Sequence, residues 1–221
     1  MMFSNKKILC ISAHMDDVEF GCGGLIKSLE KKSEIYVLVL SKDRKNSQGV
    51  IQEIRDVEEQ YAAMRILGVK RKNIFISDGI PGQLFPEYRQ NVLETMYNID
   101  SQIKPDIVIT PSINDVHQDH RIVYISAQKA FKRRTRFAYE IVNASEGFVP
   151  TIFVEISEKC LQAKIAAIEC FKSQQNPRIT AADYFDGELI AGLARMRGAG
   201  SGMKYAEAFE AASIIFKQGG R

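Results

Sequence analysis

All three histidines of the chain lie in two short segments that also contain aspartates. The first segment reads HMDD at positions 14–17, and the second reads DVHQDH at positions 115–120. Imidazole nitrogens and carboxylate oxygens are typical ligands of catalytic zinc, which takes three protein ligands and leaves one position for water. A lone histidine at a strand end is more often structural, but the two segments together predict a metal site with hydrolytic chemistry.

We predict that His14, Asp17 and His120 bind the ion. His14 and Asp17 are separated by a short strand-to-helix turn, so both side chains can reach one ion. Two imidazoles and one carboxylate would give a zinc site a net charge of about +1, enough to lower the pKa of a bound water toward neutrality. Zn²⁺ is the expected ion, with Fe²⁺ or Co²⁺ as alternatives.

Three neighbouring side chains are predicted to act in catalysis. Asp16 lies beside the predicted ligands and is placed to serve as the general base for a water molecule. His117 can donate a hydrogen bond to an oxyanion or protonate a leaving amine, and Asp119 can fix its orientation. The alternative is that Asp16 and its neighbour Asp17 only cap the N-terminus of a helix.

Both segments begin where a predicted buried strand ends, at 7–13 and at 106–110. The carboxyl edge of an open α/β sheet is where ligands bind. Further apolar runs predict strands at 34–41, 73–77, 137–142 and 152–156, and helical periodicity is found at 19–32, 51–67, 85–103, 119–132, 157–173, 184–196 and 204–215. This order predicts a single α/β domain over 1–221, a three-layer α/β/α sandwich with a mostly parallel, Rossmann-like sheet.

The composition is typical of a globular protein, with 45% hydrophobic and 26% charged residues and a net charge of +3. So small a net charge gives no reason to expect a nucleic-acid or membrane partner. The apolar stretch at 8–13 is too short for a secretory signal, and no stretch reaches the roughly 18 apolar residues of a membrane-spanning helix. The cysteines form no C-x-x-C pair, so we expect buried free thiols in a cytoplasmic protein.

The two segments resemble the signature motifs of a known family. AHMDDVE at 13–19, followed by FGCGG, is similar to the A-H-P-D-D-x-E signature of the LmbE-like, or PIG-L-like, N-deacetylases, and HQDH at 117–120 is similar to their H-x-D-H motif. RDVEEQYAAMRILG at 55–68 resembles the helix of the family that ends in L-G, and YAEAF at 205–209 resembles its C-terminal pattern. Met15 replaces the proline of the signature, which should cost rigidity rather than chemistry.

The resemblance implies the ligand, base and oxyanion roles given above. It adds two substrate-binding residues, Arg55 and Asp78, the second as a contact to sugar hydroxyls. Members of the family mostly remove acetyl groups from N-acetylglucosamine units of small glycoconjugates. The expected reaction is therefore hydrolysis of an N-acetyl or similar N-acyl group on an amino sugar, in a small glycoconjugate or sugar nucleotide, by metal-activated water.

Two other functions are alternatives. One is a non-catalytic metal- or sugar-binding protein on the same scaffold, against which Asp16 and His117 argue because metal binding alone does not require them. The other is a metal-dependent phosphoesterase, a class of site that usually holds two metals. The histidines and neighbouring aspartates are few for two ions.

The glycines of FGCGG do not complete a dinucleotide-binding motif, because Ile26 stands where the third glycine would be needed. They are expected to let a helix approach the sheet closely. The basic run at 132–136 is either a solvated face or a site for a phosphate of the substrate. Apolar residues between Phe185 and Phe216 either pack on the sheet or are covered in a homo-oligomer, which is common in the family.

Overall fold

The structure is a computed structural model that describes residues 2–45, 50–54, 56–175 and 185–216. Over these ranges, strands alternate with helices along most of the chain. The strands are β1 (Lys7–Ser12), β2 (Glu34–Val39), β3 (Asp43–Lys45), β4 (Ile51–Ile54), β5 (Ile74–Ile76), β6 (Ile107–Pro111), β7 (Thr135–Tyr139), β8 (Ile152–Glu155) and β9 (Ala206–Ser213). The helices are α1 (Asp17–Leu29), α2 (Val57–Leu67), α3 (Arg89–Ile103), α4 (Gln118–Ala130), α5 (Glu158–Ile168) and α6 (Gly187–Ala199).

In the described part of the chain, seven strands form one sheet in the order β5-β2-β1-β6-β7-β9-β8. The first five strands in this order are parallel to one another, whereas β9 is antiparallel to both β7 and β8. The predicted α/β fold with a mostly parallel sheet is therefore confirmed. Because β1 and β6 are neighbours in the centre, the segments that follow them meet at one edge of the sheet.

Helices cover both faces of this sheet. The core on one face joins Ile8 and Cys10 of β1 to apolar side chains of α1, α2, α5 and α6. The core on the other face joins Leu9 and Ile11 of β1 to apolar side chains of α3 and α4. Successive residues of a strand point to opposite faces, and here both faces are buried, which explains why the central strands read as continuous apolar runs.

Two parts of the secondary structure differ from the prediction. The segment 204–215, predicted to be helical, contains β9, which pairs with a strand on each side. Its alanines and glutamates favour helices intrinsically, but this weak local preference is outweighed by two-sided strand pairing. The predicted helix 51–67 is wrong at its start, because α2 begins at Val57 and the residues before it form β4, which pairs with β3.

The apolar residues of the C-terminal third divide between the core and the surface. Ile190 and Phe209 are buried, whereas Met196 and Phe216 are exposed. The predicted homo-oligomer therefore stays a prediction. Cys10, Cys22, Cys160 and Cys170 are free thiols, as expected. Among the helices described, none combines the length and the apolar character that crossing a bilayer requires.

Candidate active site

The first site segment connects β1 to the first turn of α1. Asp17 Oδ2 accepts a hydrogen bond of 2.8 Å from the backbone amide of His14, which fixes the turn between them. Asp16 has a φ of 96°, a left-handed conformation that is uncommon outside glycine and better tolerated by Asp and Asn. Its side chain is 6% exposed and does not cap α1. The structure therefore does not support a role as helix cap for Asp16, and strained backbone of this kind clusters at functional sites.

The second site segment connects β6 to α4. His117 is the N-cap of α4, and its Nδ1 accepts a hydrogen bond of 3.1 Å from the backbone amide of Asp119. Since Nδ1 is an acceptor, the proton of the neutral ring lies on Nε2. Asp115 holds the segment at two points: its carboxylate accepts a 2.8 Å hydrogen bond from the His117 amide and lies 2.7 Å from Nδ1 of His120.

The three predicted ligands converge. Atoms of His14, Asp17 and His120 that could bind a metal all lie within 4.8 Å of one another. His120 Nε2 is 3.3 Å from Asp17 Oδ1, and His14 Nδ1 is 3.9 Å from Asp17 Oδ2. Ligand atoms placed about 2 Å from a tetrahedral ion lie about 3.3 Å apart. Apart from its contact with Asp17, the buried Nε2 of His120 has no hydrogen-bond partner among the described residues, so these side chains fit a divalent metal.

Each imidazole of this group has its other nitrogen held by a carboxylate. His14 Nε2 lies 2.9 Å from Asp119 Oδ2, and His120 Nδ1 lies 2.7 Å from Asp115 Oδ2. Such carboxylate–histidine pairs orient metal-binding imidazoles and raise their basicity. Sequence reasoning assigned no role to Asp115, although the position of this acid two residues before His117 in DVHQDH was a signal that could have suggested one.

Asp119 contacts His117 through its backbone and other residues through its carboxylate. The carboxylate of Asp119 accepts hydrogen bonds from the backbone amides of Gln83, at 2.5 Å, and Phe85, at 3.2 Å, in addition to its contact with His14. The ring of His117 is held by the backbone amide of Asp119, not by the carboxylate. Asp119 therefore joins the loop before α3 to the site.

In a second group, His14, His117 and Asp119, atoms that could bind a metal also lie within 4.8 Å of one another. This group fits an ion less well, because His14 Nε2 already contacts the Asp119 carboxylate. That carboxylate also accepts hydrogen bonds from two backbone amides. The two groups also share His14. Within the described residues, this geometry favours one metal ion over the pair that phosphoesterases usually hold.

The electrostatics of the site centre on His120 and Asp17. Burial opposes protonation of His120, but the charge of Asp17 and the hydrogen bond with Asp115 raise the pKa of His120 to about 10. Burial likewise opposes ionisation of Asp17, yet the charge of His120 holds the pKa of Asp17 well below its ordinary value. A metal cation would take over the positive charge of His120 and displace its proton, so metal binding should release protons.

His117 has the opposite shift. Burial, together with the charges of His14 and His120, lowers the pKa of His117 to about 4. The ring is therefore neutral at pH 7 and presents Nε2–H as a hydrogen-bond donor.

The structure places neither Asp78 nor the basic run at 132–136 among the candidate ligands. Arg55 lies outside the described residues. The side chain of Asp78 is 77% exposed and forms an ion pair with Lys42. The basic run at 132–136 leads into the start of β7, at the sheet edge opposite the site, which argues against its holding a phosphate of a substrate bound there.

Strand β9 supports the second site segment from the side. Glu210 of β9 accepts hydrogen bonds from Ser112 Oγ at 2.6 Å, Asn114 Nδ2 at 3.2 Å and the Val149 amide at 3.1 Å. The loop that leads to Asp115 is thereby tied to a strand near the end of the chain. No local pattern predicts this contact, and it was missed because the segment was expected to be helical.

Glu19 is a fully buried carboxyl group close to the candidate ligands. Its Oε1 accepts a 2.6 Å hydrogen bond from Gln60 Nε2, while Glu19 Oε2 and Gln60 Oε1 have no partner among the described residues. Burial, reinforced by the charges of Asp16 and Asp17, raises the pKa of Glu19 to about 8. In the metal-free protein, Glu19 is therefore mostly protonated at neutral pH.

This shift predicts how Glu19→Gln changes stability in the presence of a chelator. The folded pKa of about 8 exceeds the ordinary 4.5, so wild-type stability falls as pH rises between these values. The variant avoids this loss, and its advantage should grow from about 1 kcal/mol or less at about pH 5 to a few kcal/mol at about pH 9. Urea denaturation at both pH values measures it, with the exposed Glu169→Gln as control. Parallel pH profiles for wild type and Glu19→Gln would contradict the expectation.

Comparison with known proteins agrees with this geometry. The family model "PIG-L: GlcNAc-PI de-N-acetylase" matches residues 9–131. The uncharacterized deacetylase YaiS of Escherichia coli (strain K12) is 30% identical over 175 residues, which cover 76% of this chain and 91% of that protein. The diacetylchitobiose deacetylase of Thermococcus kodakarensis is 26% identical over 194 residues, covering 76% of this chain and 70% of that protein.

A solved structure shares the fold over nearly the whole chain. The conserved protein TT1542 from Thermus thermophilus is 25% identical and superposes with a TM-score of 0.71, covering 96% of each chain. The matched family region contains both site segments and all three candidate ligands. The chain therefore belongs to the PIG-L, or LmbE-like, family of deacetylases.

Proposed function

We propose that the protein is a metal-dependent hydrolase that removes an N-acetyl or similar N-acyl group from an amino sugar in a small glycoconjugate or sugar nucleotide. The observation that carries the proposal is the convergence of His14, Asp17 and His120, with the ring of His117 next to His14 and His120 and with Asp16 preceding Asp17 in the chain. The family description and the Thermococcus relative both name N-acetylated amino sugars, which supports this substrate class.

The three convergent side chains would hold the ion, for which we propose Zn²⁺. Bound there, a divalent cation would supply positive charge that acidifies water and polarises the acyl carbonyl. Asp119 and Asp115 would keep His14 and His120 in the tautomers that leave a nitrogen available for the ion.

Asp16 is proposed to accept the proton of the attacking water. Its carboxylate is nearly buried, adjoins Asp17 and is not used to cap α1. The Nε2–H group of His117 donates a hydrogen bond to the carbonyl oxygen as negative charge develops there. Because His117 is neutral at pH 7, the proton that Asp16 has accepted is the one available to the leaving nitrogen. The carbon–nitrogen bond then breaks, giving acetate and a free amine.

The alternatives are less well supported. A protein that only binds a metal or a sugar has no need for Asp16 in a strained conformation without a cap hydrogen bond to α1. It also has no need for a histidine beside the candidate ligands whose proton lies on Nε2. A phosphoesterase would be expected to hold two ions, and the two candidate groups found among the described residues share His14.

The proposal is tested by measuring metal content and amine release on the purified chain. We expect about one divalent ion per chain and new primary amine from N-acetylglucosamine, N,N′-diacetylchitobiose or a UDP-linked N-acetylamino sugar. Dialysis against a chelator should remove both the ion and the activity, and Zn²⁺ should restore them. A metal-free preparation that remains active after chelation would refute the metal dependence, whereas a metal-loaded protein inactive on all N-acyl sugars would refute the substrate class.

A further inference from the structure

Helix α1 is broken at Cys22, whose φ of −146° and ψ of 22° are not helical. The break separates a first part, which begins with Asp17, from a second part that runs on to Leu29. The first amides of a helix have no partner within the helix and must be satisfied from outside. In the second part of α1, two of these amides belong to Gly24 and Leu25.

A single distant carboxylate satisfies both amides. Glu207 of β9 accepts hydrogen bonds from the Gly24 amide at 2.8 Å and from the Leu25 amide at 2.6 Å. Its side chain is buried and faces Lys164 of α5, whose Nζ is 2.7 Å from Oε1. A carboxylate at a helix N-terminus is also stabilised by the helix dipole. Glu207 thus acts as a long-range N-cap for the second part of α1.

The first part of α1 is confined as well. A Cβ built on Gly21 would lie 2.1 Å from the ring of Tyr139, so only glycine allows the helix to pass at this point, as predicted for the glycines of this segment. The hydroxyl of Tyr139 donates a 3.0 Å hydrogen bond to the carbonyl of Ile11, which holds the ring against β1. The direction of the first part, and with it the position of Asp17, therefore depends on the angle at Cys22.

We propose that Glu207 is a positioning residue for the metal site. By capping the second part of α1 it maintains the break at Cys22, and the break places Asp17 against His14 and His120. This inference rests on the proposed function, because it assumes that these residues bind a metal ion. The competing explanation is that the Glu207–Lys164 pair only contributes to stability, as buried ion pairs are often thought to do.

The variant Gly24→Ala separates the two explanations, because it displaces the cap while keeping both charges. The added Cβ would lie 3.0 Å from Glu207 Oε1 and 2.8 Å from Ile156 Cδ1, so both side chains must move. Alanine favours helix formation, so the helix itself is not weakened. Gly192→Ala on α6 is the matched control, since a Cβ there meets nothing within 4 Å.

We expect the Zn²⁺ affinity of Gly24→Ala to fall by about tenfold or more, the scale on which changes around metal ligands act. The affinity of Gly192→Ala should equal that of wild type, and urea denaturation identifies any difference in stability. Equal Zn²⁺ affinities for the two variants would overturn the proposal. Failure of the wild type to bind Zn²⁺ would instead refute the proposed function, so the two failures are distinguishable.

A second measurement needs no variant. If the cap and the metal site are coupled, binding of Zn²⁺ must stabilise the capped amides, since such coupling is reciprocal. Hydrogen exchange of the Gly24 and Leu25 amides in the wild type should slow when Zn²⁺ is added, while that of amides in α6 should not. Unchanged exchange at Gly24 and Leu25 upon Zn²⁺ binding would overturn the proposal even if Gly24→Ala did not fold.

Discussion

Asp17→Asn is expected to abolish metal binding at micromolar Zn²⁺ while leaving the protein folded. The asparagine keeps an oxygen that can accept the hydrogen bond of the His14 amide, now 2.8 Å long, so the turn before α1 should survive. It removes the negative charge that faces His120, and the loss in affinity should exceed the tenfold to hundredfold, roughly, that changes to outer-shell partners cost. Activity should fall in proportion to the metal lost. Isothermal titration with Zn²⁺ and circular dichroism together measure affinity and fold.

The comparison with Asp115→Asn makes the result specific. Asp115 is not one of the candidate ligands but lies 2.7 Å from Nδ1 of His120, so its replacement should lower the Zn²⁺ affinity by the smaller amount typical of residues behind a ligand. A folded Asp17→Asn variant that binds Zn²⁺ as tightly as Asp115→Asn would show that Asp17 is not a ligand.

Asp16→Asn should give the opposite combination, a retained metal and a loss of about a hundredfold or more in kcat, the usual scale of general-base catalysis. Asparagine suits this position because it shares with aspartate a tolerance for the φ of 96° found there. The change is therefore expected to remove the base without altering the backbone between His14 and Asp17.

The measurement is kcat/KM against pH for wild type and variant, each loaded with one equivalent of Zn²⁺. Loss of the base should remove the acid limb of the profile and lower the plateau, while KM changes little. If Asp16→Asn lost its metal as Asp17→Asn is expected to do, the division of roles between the two aspartates would be wrong.

The sequence predicted those strands and helices whose local pattern of apolar residues is distinctive. Strands β1, β2 and β6 are buried on both faces, so their apolar runs are long enough to recognise. The histidines at the ends of two such strands predicted which side chains meet, and the structure brings these side chains together. Their roles in binding and catalysis stay predictions.

The features that the sequence did not predict depend on contacts between distant segments. The alanine- and glutamate-rich β9 is a strand because of its neighbours β7 and β8, not because of its own preference. Asp119 was expected to fix the orientation of His117, and it contacts that ring through its backbone amide, whereas its carboxylate accepts hydrogen bonds from the amides of Gln83 and Phe85 and contacts His14. Such choices are decided by which partner lies within reach, which spacing in the chain does not encode.

The position of β9 also bears on how this family can diverge. The family model matches residues 9–131, yet Glu210, which holds the loop before Asp115, lies well beyond that range. A graft of residues 9–131 into another protein would carry every candidate ligand but lose the hydrogen bonds to Glu210. Two relatives with identical signature motifs could therefore differ in the geometry of the candidate site through changes in β9 alone. Changes in β9 are therefore expected to alter the geometry of the candidate site without replacing any candidate ligand.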